Sequence, residues 1–176
     1  MTLVELLIAA LIVSFMLVGV LATDYAVRSM NAKVTDDVTL GMQLRTVAEY
    51  IRRDAMSATG ESGNPGVTYT GSRICFREDL ALTPTAYGDD TWVCYTLLGN
   101  NLRKCSGAVE ADCAGTDTFV GRLITNAFTV NPPTFSNGHF YVKLQTRLNP
   151  AAAMNANTNP QAEAEVSVYP VGHSNN

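Results

Sequence analysis

Few residues in this chain have the chemistry of a reactive site. The only histidines are His139 and His173, and histidine is the usual base or metal ligand near neutral pH. His139 heads a strand-like run and His173 lies in the tail, positions where histidine is an ordinary surface residue. The acid pairs Asp36–Asp37 and Asp89–Asp90 read as solvated helix and loop faces, because a calcium loop needs more acids at alternating spacing. The four cysteines are Cys75, Cys94, Cys105 and Cys113. They form no C-x-x-C and have no histidine nearby, which argues against zinc and c-type haem and for two disulfides made in an oxidising compartment. No G-x-S-x-G, phosphate loop or HExxH occurs. The expectation is a protein that is not an enzyme, with neither metal nor cofactor. One residue stands apart. Glu5 is the single charge in MTLVELLIAALIVSFMLVGVLA, residues 1–22, and a charge inside a membrane costs roughly 2.5–3.5 kcal/mol on insertion scales.

The elements that must carry Glu5 set the problem. The chain has 176 residues, 47% of them hydrophobic, enough for one domain with a core plus an extension. Apolar residues crowd the first 22 positions. Twelve basic against 16 acidic residues give a net charge of −4, and with no basic run this argues against a nucleic-acid surface. A signal peptide needs a basic leading segment and a shorter apolar run. A plain membrane anchor fits in length but leaves Glu5 unexplained and lacks basic flanks. A helix apolar on all faces needs burial all round, and nothing later in the chain is large enough to enclose it. Met1 as a processed N-terminus explains more. Its amine is then cationic, Glu5 lies one helical turn away, and the two can meet within a chain or between neighbours. Glu5 then sets the register of stacked subunits, a known use of buried charge.

The segment Thr2-Leu3-Val4-Glu5-Leu6-Leu7 resembles the mature N-terminus of the type IV pilin and pseudopilin superfamily. The resemblance implies that a prepilin peptidase removes a short leader, that Met1 is the methylated first residue, and that Glu5 neutralises the amine of an adjacent subunit during assembly. The family usually begins with Phe, and many members carry a helix-kinking proline where this chain has Ala22. The resemblance also marks Ser14 to Gly19 as the segment to extend or melt on assembly.

Beyond residue 22 the helical period continues. Val27, Met30, Val34, Val38, Leu44, Ala48, Ile51, Ala55 and Ala58 form one stripe, and charged residues mostly fill the other faces. A single helix is expected over residues 2–58, roughly 85 Å at 1.5 Å per residue, stopped near Gly60. Three regions follow: 1–23, a transmembrane or filament-core helix; 24–59, its amphipathic continuation, packed on a sheet; and 60–176, an antiparallel β domain. Strands are expected at 67–70, 73–78, 92–98, 101–104, 119–124, 126–130, 139–147 and 164–170, with a hairpin at 99–101 and a polar loop at 149–161. The fold class is therefore α+β, a long N-terminal helix whose second half packs on an antiparallel sheet. This order is similar to the pilin fold, and its layout is most like the larger minor pilins and J-type pseudopilins. Four cysteines allow three pairings. Cys75–Cys94 is favoured because the two lie in neighbouring strands, and Cys105–Cys113 because it closes a short loop.

The expected function is a structural filament subunit, held in the inner membrane and polymerised through its helix into a surface pilus for adhesion, motility or DNA uptake. Its partners would be further copies, minor pilins, the prepilin peptidase, the assembly machinery and, before assembly, the membrane; no nucleic-acid binding is indicated. The alternatives are a minor pilin or type II secretion pseudopilin, or an anchored periplasmic binding domain that never polymerises. Electron transfer through aromatics is disfavoured, since Phe15, Tyr25 and Tyr50 lie roughly 15 and 37 Å apart along one helix.

Overall fold

The computed structural model describes residues 2–60, 63, 65–80, 82–83, 86–110, 118–121, 124–125, 128, 133–136, 139–156, 158–170 and 172–173. The fold is α+β. The helix α1 runs Leu3–Ser57, and among the described residues eleven strands follow it. These are β1 (Thr59–Gly60), β2 (Val67–Thr70), β3 (Arg73–Glu78), β4 (Thr91–Leu98), β5 (Asn101–Gly107), β6 (Thr118–Gly121), β7 (Ile124–Thr125), β8 (Thr134–Ser136), β9 (His139–Arg147), β10 (Gln161–Val168) and β11 (Gly172–His173). The chain divides into two compact units, Met1–Val38 and Thr39–Asn176.

Among the described residues the second unit holds two antiparallel sheets where the sequence predicted one. The first has the order β2-β3-β4-β5-β6; in the second, β9 pairs with β10, β7 and β8. Strand chemistry explains the registers. β9 alternates buried and half-buried residues along its length, placing Phe140, Val142, Leu144 and Thr146 inward, opposite Val168, Val166, Ala164 and Ala162 of β10. β4 and β5 meet through a two-residue turn at Gly99–Asn100, with Leu98 opposite Asn101. Gly99 has φ +62°, a conformation that glycine adopts without a Cβ clash.

The end of α1 forms the core with both sheets. Leu44, Val47, Ile51, Ala55 and Ala58 join Ile74, Phe76, Tyr95, Phe140 and Leu144 in one buried cluster. Phe76 meets Tyr95 and Phe140 edge to face at 6.1 and 5.3 Å, an arrangement that the ring quadrupoles favour. Val47 approaches β6 so closely that a Cβ at Gly121 would lie 2.6 Å from its Cγ2. Burial along the helix begins at Leu40. The expected stripe residues Val27, Met30, Val34 and Val38 are exposed in the single chain.

The 126–130 strand falls largely outside the described residues; within it, Phe128 is buried and is not in a strand. His173 was expected in the tail but pairs in β11, parallel to β1. In the 149–161 loop, Asn159 is buried and ties down Asn149 and Ala153. Asn159 Nδ2 donates to the carbonyls of Asn149 at 2.9 Å and Ala153 at 3.0 Å, and its Oδ1 accepts from Asn149 N–H at 2.7 Å. Truncating a side chain that satisfies several buried polar groups costs about 2 kcal/mol. Asn159→Ala is therefore expected to lower the urea midpoint by that equivalent and to open the loop to protease. An unchanged midpoint and cleavage pattern would show the loop is held otherwise.

Asp90 was expected as part of a solvated pair with Asp89. Asp89 is exposed, but Asp90 is only 4% exposed. Its Oδ2 lies 3.5 Å from Arg77 Nε and, among the described residues, its buried Oδ1 has no hydrogen-bond partner. The Arg77 guanidinium lies over the Tyr87 ring at 4.3 Å. Burial pushes the Asp90 carboxyl above its ordinary value of 3.8, against the pull of Arg77. A raised folded value favours the folded state when the group is protonated. That contribution is full below about pH 3.8 and is lost as pH rises through the raised value. Asp90→Asn removes this dependence. The stability of the variant minus that of the parent, from urea melts between about pH 4 and 7, is expected to rise with pH; a flat difference would refute the assignment.

Candidate assembly site

The first unit is a helix whose start is made by two side chains. Thr2 N–H donates to Glu5 Oε2 at 2.7 Å, and Glu5 N–H donates to Thr2 Oγ1 at 3.4 Å. This is a reciprocal capping box, which satisfies two amides that a helix start otherwise leaves orphaned. Glu5 thus has a partner inside its own chain. Met1, whose amine was expected to meet Glu5 within a chain or between neighbouring subunits, lies outside the described residues. The Thr2-x-x-Glu5 spacing is itself the signal for such a cap, and reading Glu5 only as a lone charge passes over it.

Apart from Glu5 and Ser14, the side chains from Leu3 to Leu21 are apolar on every face, and all of these residues are exposed. By length and composition this helix is able to cross a membrane. Its hydroxyls turn inward: Ser14 Oγ donates to the Ala10 carbonyl at 2.8 Å, and Thr23 Oγ1 to Val20 at 2.8 Å and Gly19 at 3.1 Å. Such back-bonding removes polar groups that hydrocarbon cannot solvate. Ser14 and Gly19 are both helical here, and a Cβ added at Gly19 would meet nothing within 4 Å. The first polar turn carries an Arg28–Asp24 pair at 2.8 Å.

A second acid in an apolar stripe occurs in the other unit. Asp54 sits one helical step from Ile51 and Ala58, and is 2% exposed. Its Oδ2 accepts from Tyr95 Oη at 2.6 Å and Lys104 Nζ at 2.5 Å, and its Oδ1 accepts from Arg53 Nε at 3.1 Å. Burial, then the bond to Asp54, pushes the Tyr95 hydroxyl well above its ordinary range. This centre ties helix to sheet. Stripe logic could have found it, since Asp54 occupies a core position of the 3–4 spacing.

Cys75 and Cys94 form the expected disulfide, facing each other in β3 and β4. Cys105 is also disulfide-bonded, and Cys113 lies outside the described residues. His139 Nε2 lies 2.7 Å from Ser167 Oγ, with its ring 4.8 Å from the exposed Tyr169 ring. Among the described residues no group of three His, Cys, Asp or Glu side chains is placed to hold a metal.

The chain matches no family model, no curated protein and no solved structure. A long N-terminal helix, apolar at its start and packed on antiparallel sheet further along, is an arrangement that fits a pilin-like architecture.

Proposed function

We propose that this chain is a structural subunit of a type IV pilus-type filament. One observation carries the reading. A helix exposed and apolar on every face over Leu3–Leu21 holds a single acid, Glu5, at its start. Lipid covers such a helix before assembly, and neighbouring helices cover it afterwards. Helices already surrounded by hydrocarbon gain little from the hydrophobic effect on meeting, so polar contacts must direct their association. Glu5 is the group available to do so: it leaves its own Thr2 cap for the amine of a neighbouring subunit. The exposed stripe Val27, Met30, Val34 and Val38 extends the apolar contact along the helix. The sheet domain then lies outside the helical core, where adhesion, motility or DNA uptake would act.

Immunogold microscopy with an antibody to the 149–161 loop tests this on cells expressing the full chain. Filaments labelled along their length are expected. Label at filament tips alone would assign the chain as a minor pilin, and label confined to the inner membrane would reject polymerisation and favour an anchored binding domain.

A further inference from the structure

Three consecutive strands bring three cysteines side by side. The register sets Cys75 of β3 opposite Cys94 of β4, and Cys94 opposite Cys105 of β5. Directly opposed residues share one face of a sheet, so the three side chains form a row with Cys94 at its centre. Trp92 and Cys105 both pack against the buried Cys75–Cys94 pair, and Cys105 Sγ lies 3.8 Å from the Cys94 carbonyl oxygen. The Cα atoms of Cys75 and Cys94 are 4.0 Å apart, which marks the closer of the two antiparallel pair types. Because a central residue alternates types between its two neighbours, Cys94 and Cys105 form the wider pair, with Cα atoms about 5.5 Å apart. Cys94 is already bonded to Cys75, and about 5.5 Å lies within the roughly 4.4–6.8 Å that disulfides usually span between Cα atoms, so Cys94 has a second neighbour within bonding range.

We infer that this row is a disulfide-exchange site centred on Cys94. A thiolate displaces one sulfur of a disulfide from the far side of the bond, and a row of three presents that line of attack. With Cys105 as the thiolate, the Cys105–Cys94 bond forms and the Cys94–Cys75 bond breaks. The electron pair leaves on the Cys75 sulfur, which takes up a proton. This step is redox-neutral. Because Cys105 is itself disulfide-bonded, a gating step precedes it: a dithiol reductant donates two electrons to that bond and becomes a disulfide. Cys105 is the half-buried member of the row, whereas Cys75 and Cys94 are 0% and 1% exposed, so reductant reaches the row through Cys105. The inference does not depend on whether the chain polymerises.

The test uses the full chain in detergent micelles. Cys113→Ser removes the one cysteine left over from the row and leaves Cys105 a thiol. After acid quench and alkylation, peptide mapping without reduction is expected to recover Cys94–Cys105 with alkylated Cys75 in about one chain in ten or more, a tenfold allowance for the wider pair. Cys75–Cys94 alone, in a variant with unchanged circular dichroism, overturns the inference. Should that variant not fold, the parent chain is titrated with dithiothreitol. Alkylated Cys75 is then expected to appear together with Cys94–Cys105, and direct conversion of Cys75–Cys94 to two thiols overturns the inference.

Discussion

Glu5→Gln is expected to leave the helix start intact and to cripple filament assembly. The substitution separates two jobs. Glutamine at the third helical position completes a capping box as glutamate does, so the bond from Thr2 N–H survives. What it lacks is charge. In the proposed filament a neighbour's amine then enters an apolar core unpaired, at a cost of roughly 2.5–3.5 kcal/mol. Each added subunit would bind about a hundredfold more weakly. Glu5→Ala loses the cap as well and is expected to assemble no better. Sheared filament yield, compared with the amount of chain in the membrane, measures both variants. Normal yield from Glu5→Gln would mean that the carboxylate serves its own helix and nothing else. Because the sheet domain has its own core, both variants should keep the domain's thermal transition.

Asp54→Ala is expected to be the most damaging single change in the domain, lowering its stability by about 3–5 kcal/mol. A typical domain has only about 5–15 kcal/mol in total. The loss comes from what remains behind. Tyr95 is fully buried and its hydroxyl would lose the acceptor at 2.6 Å, while Lys104 would lose its carboxylate. Lys104 is partly exposed and able to turn toward water, which sets the lower end of the range. Asp54→Asn keeps an acceptor and should cost less. Tyr95 adds a signature in alkali. Its folded value is raised above the ordinary 10.0, so its contribution is complete below about pH 10 and is lost as the pH climbs through the raised value. Guanidinium melts on both variants, with the parent followed above pH 10, check the size and the sign. A loss under about 1 kcal/mol for Asp54→Ala would show that the pair behaves as a surface contact.

The regular strands were legible because their chemistry is periodic and local. Arg73–Glu78, Thr91–Leu98 and His139–Arg147 stand close to where alternation and turn residues put them. β1, β8 and β11 were not legible, since strands of two or three residues carry no period and are made by their partners. The stripe on α1 was readable but ambiguous. Val27 and Val38 obey the same spacing as Leu44 and Ile51, yet only the latter pair is buried within the chain. Periodicity reports that a face will be covered, not by which molecule. The polar centres were the hardest to see. Asp54 and Asn159 look like surface residues by type, and their burial follows from a lysine 50 residues on and a carbonyl 10 residues back. Glu5 was conspicuous for its charge, while the modest Thr2 beside it was the more informative neighbour for the structure of the single chain.

The short parallel pair between β1 and β11 has a wider meaning. Thr59 and Gly60 lie against Gly172 and His173, so the chain returns, after the other strands, to the point where α1 hands over to the sheets. The run from β1 to β11 is thus a closed circuit. Leu44, Val47, Ile51, Ala55 and Ala58 of α1 fill the core of that circuit. The end of the helix is therefore its spindle and not a detachable handle: exchanging it for another helix would empty the core.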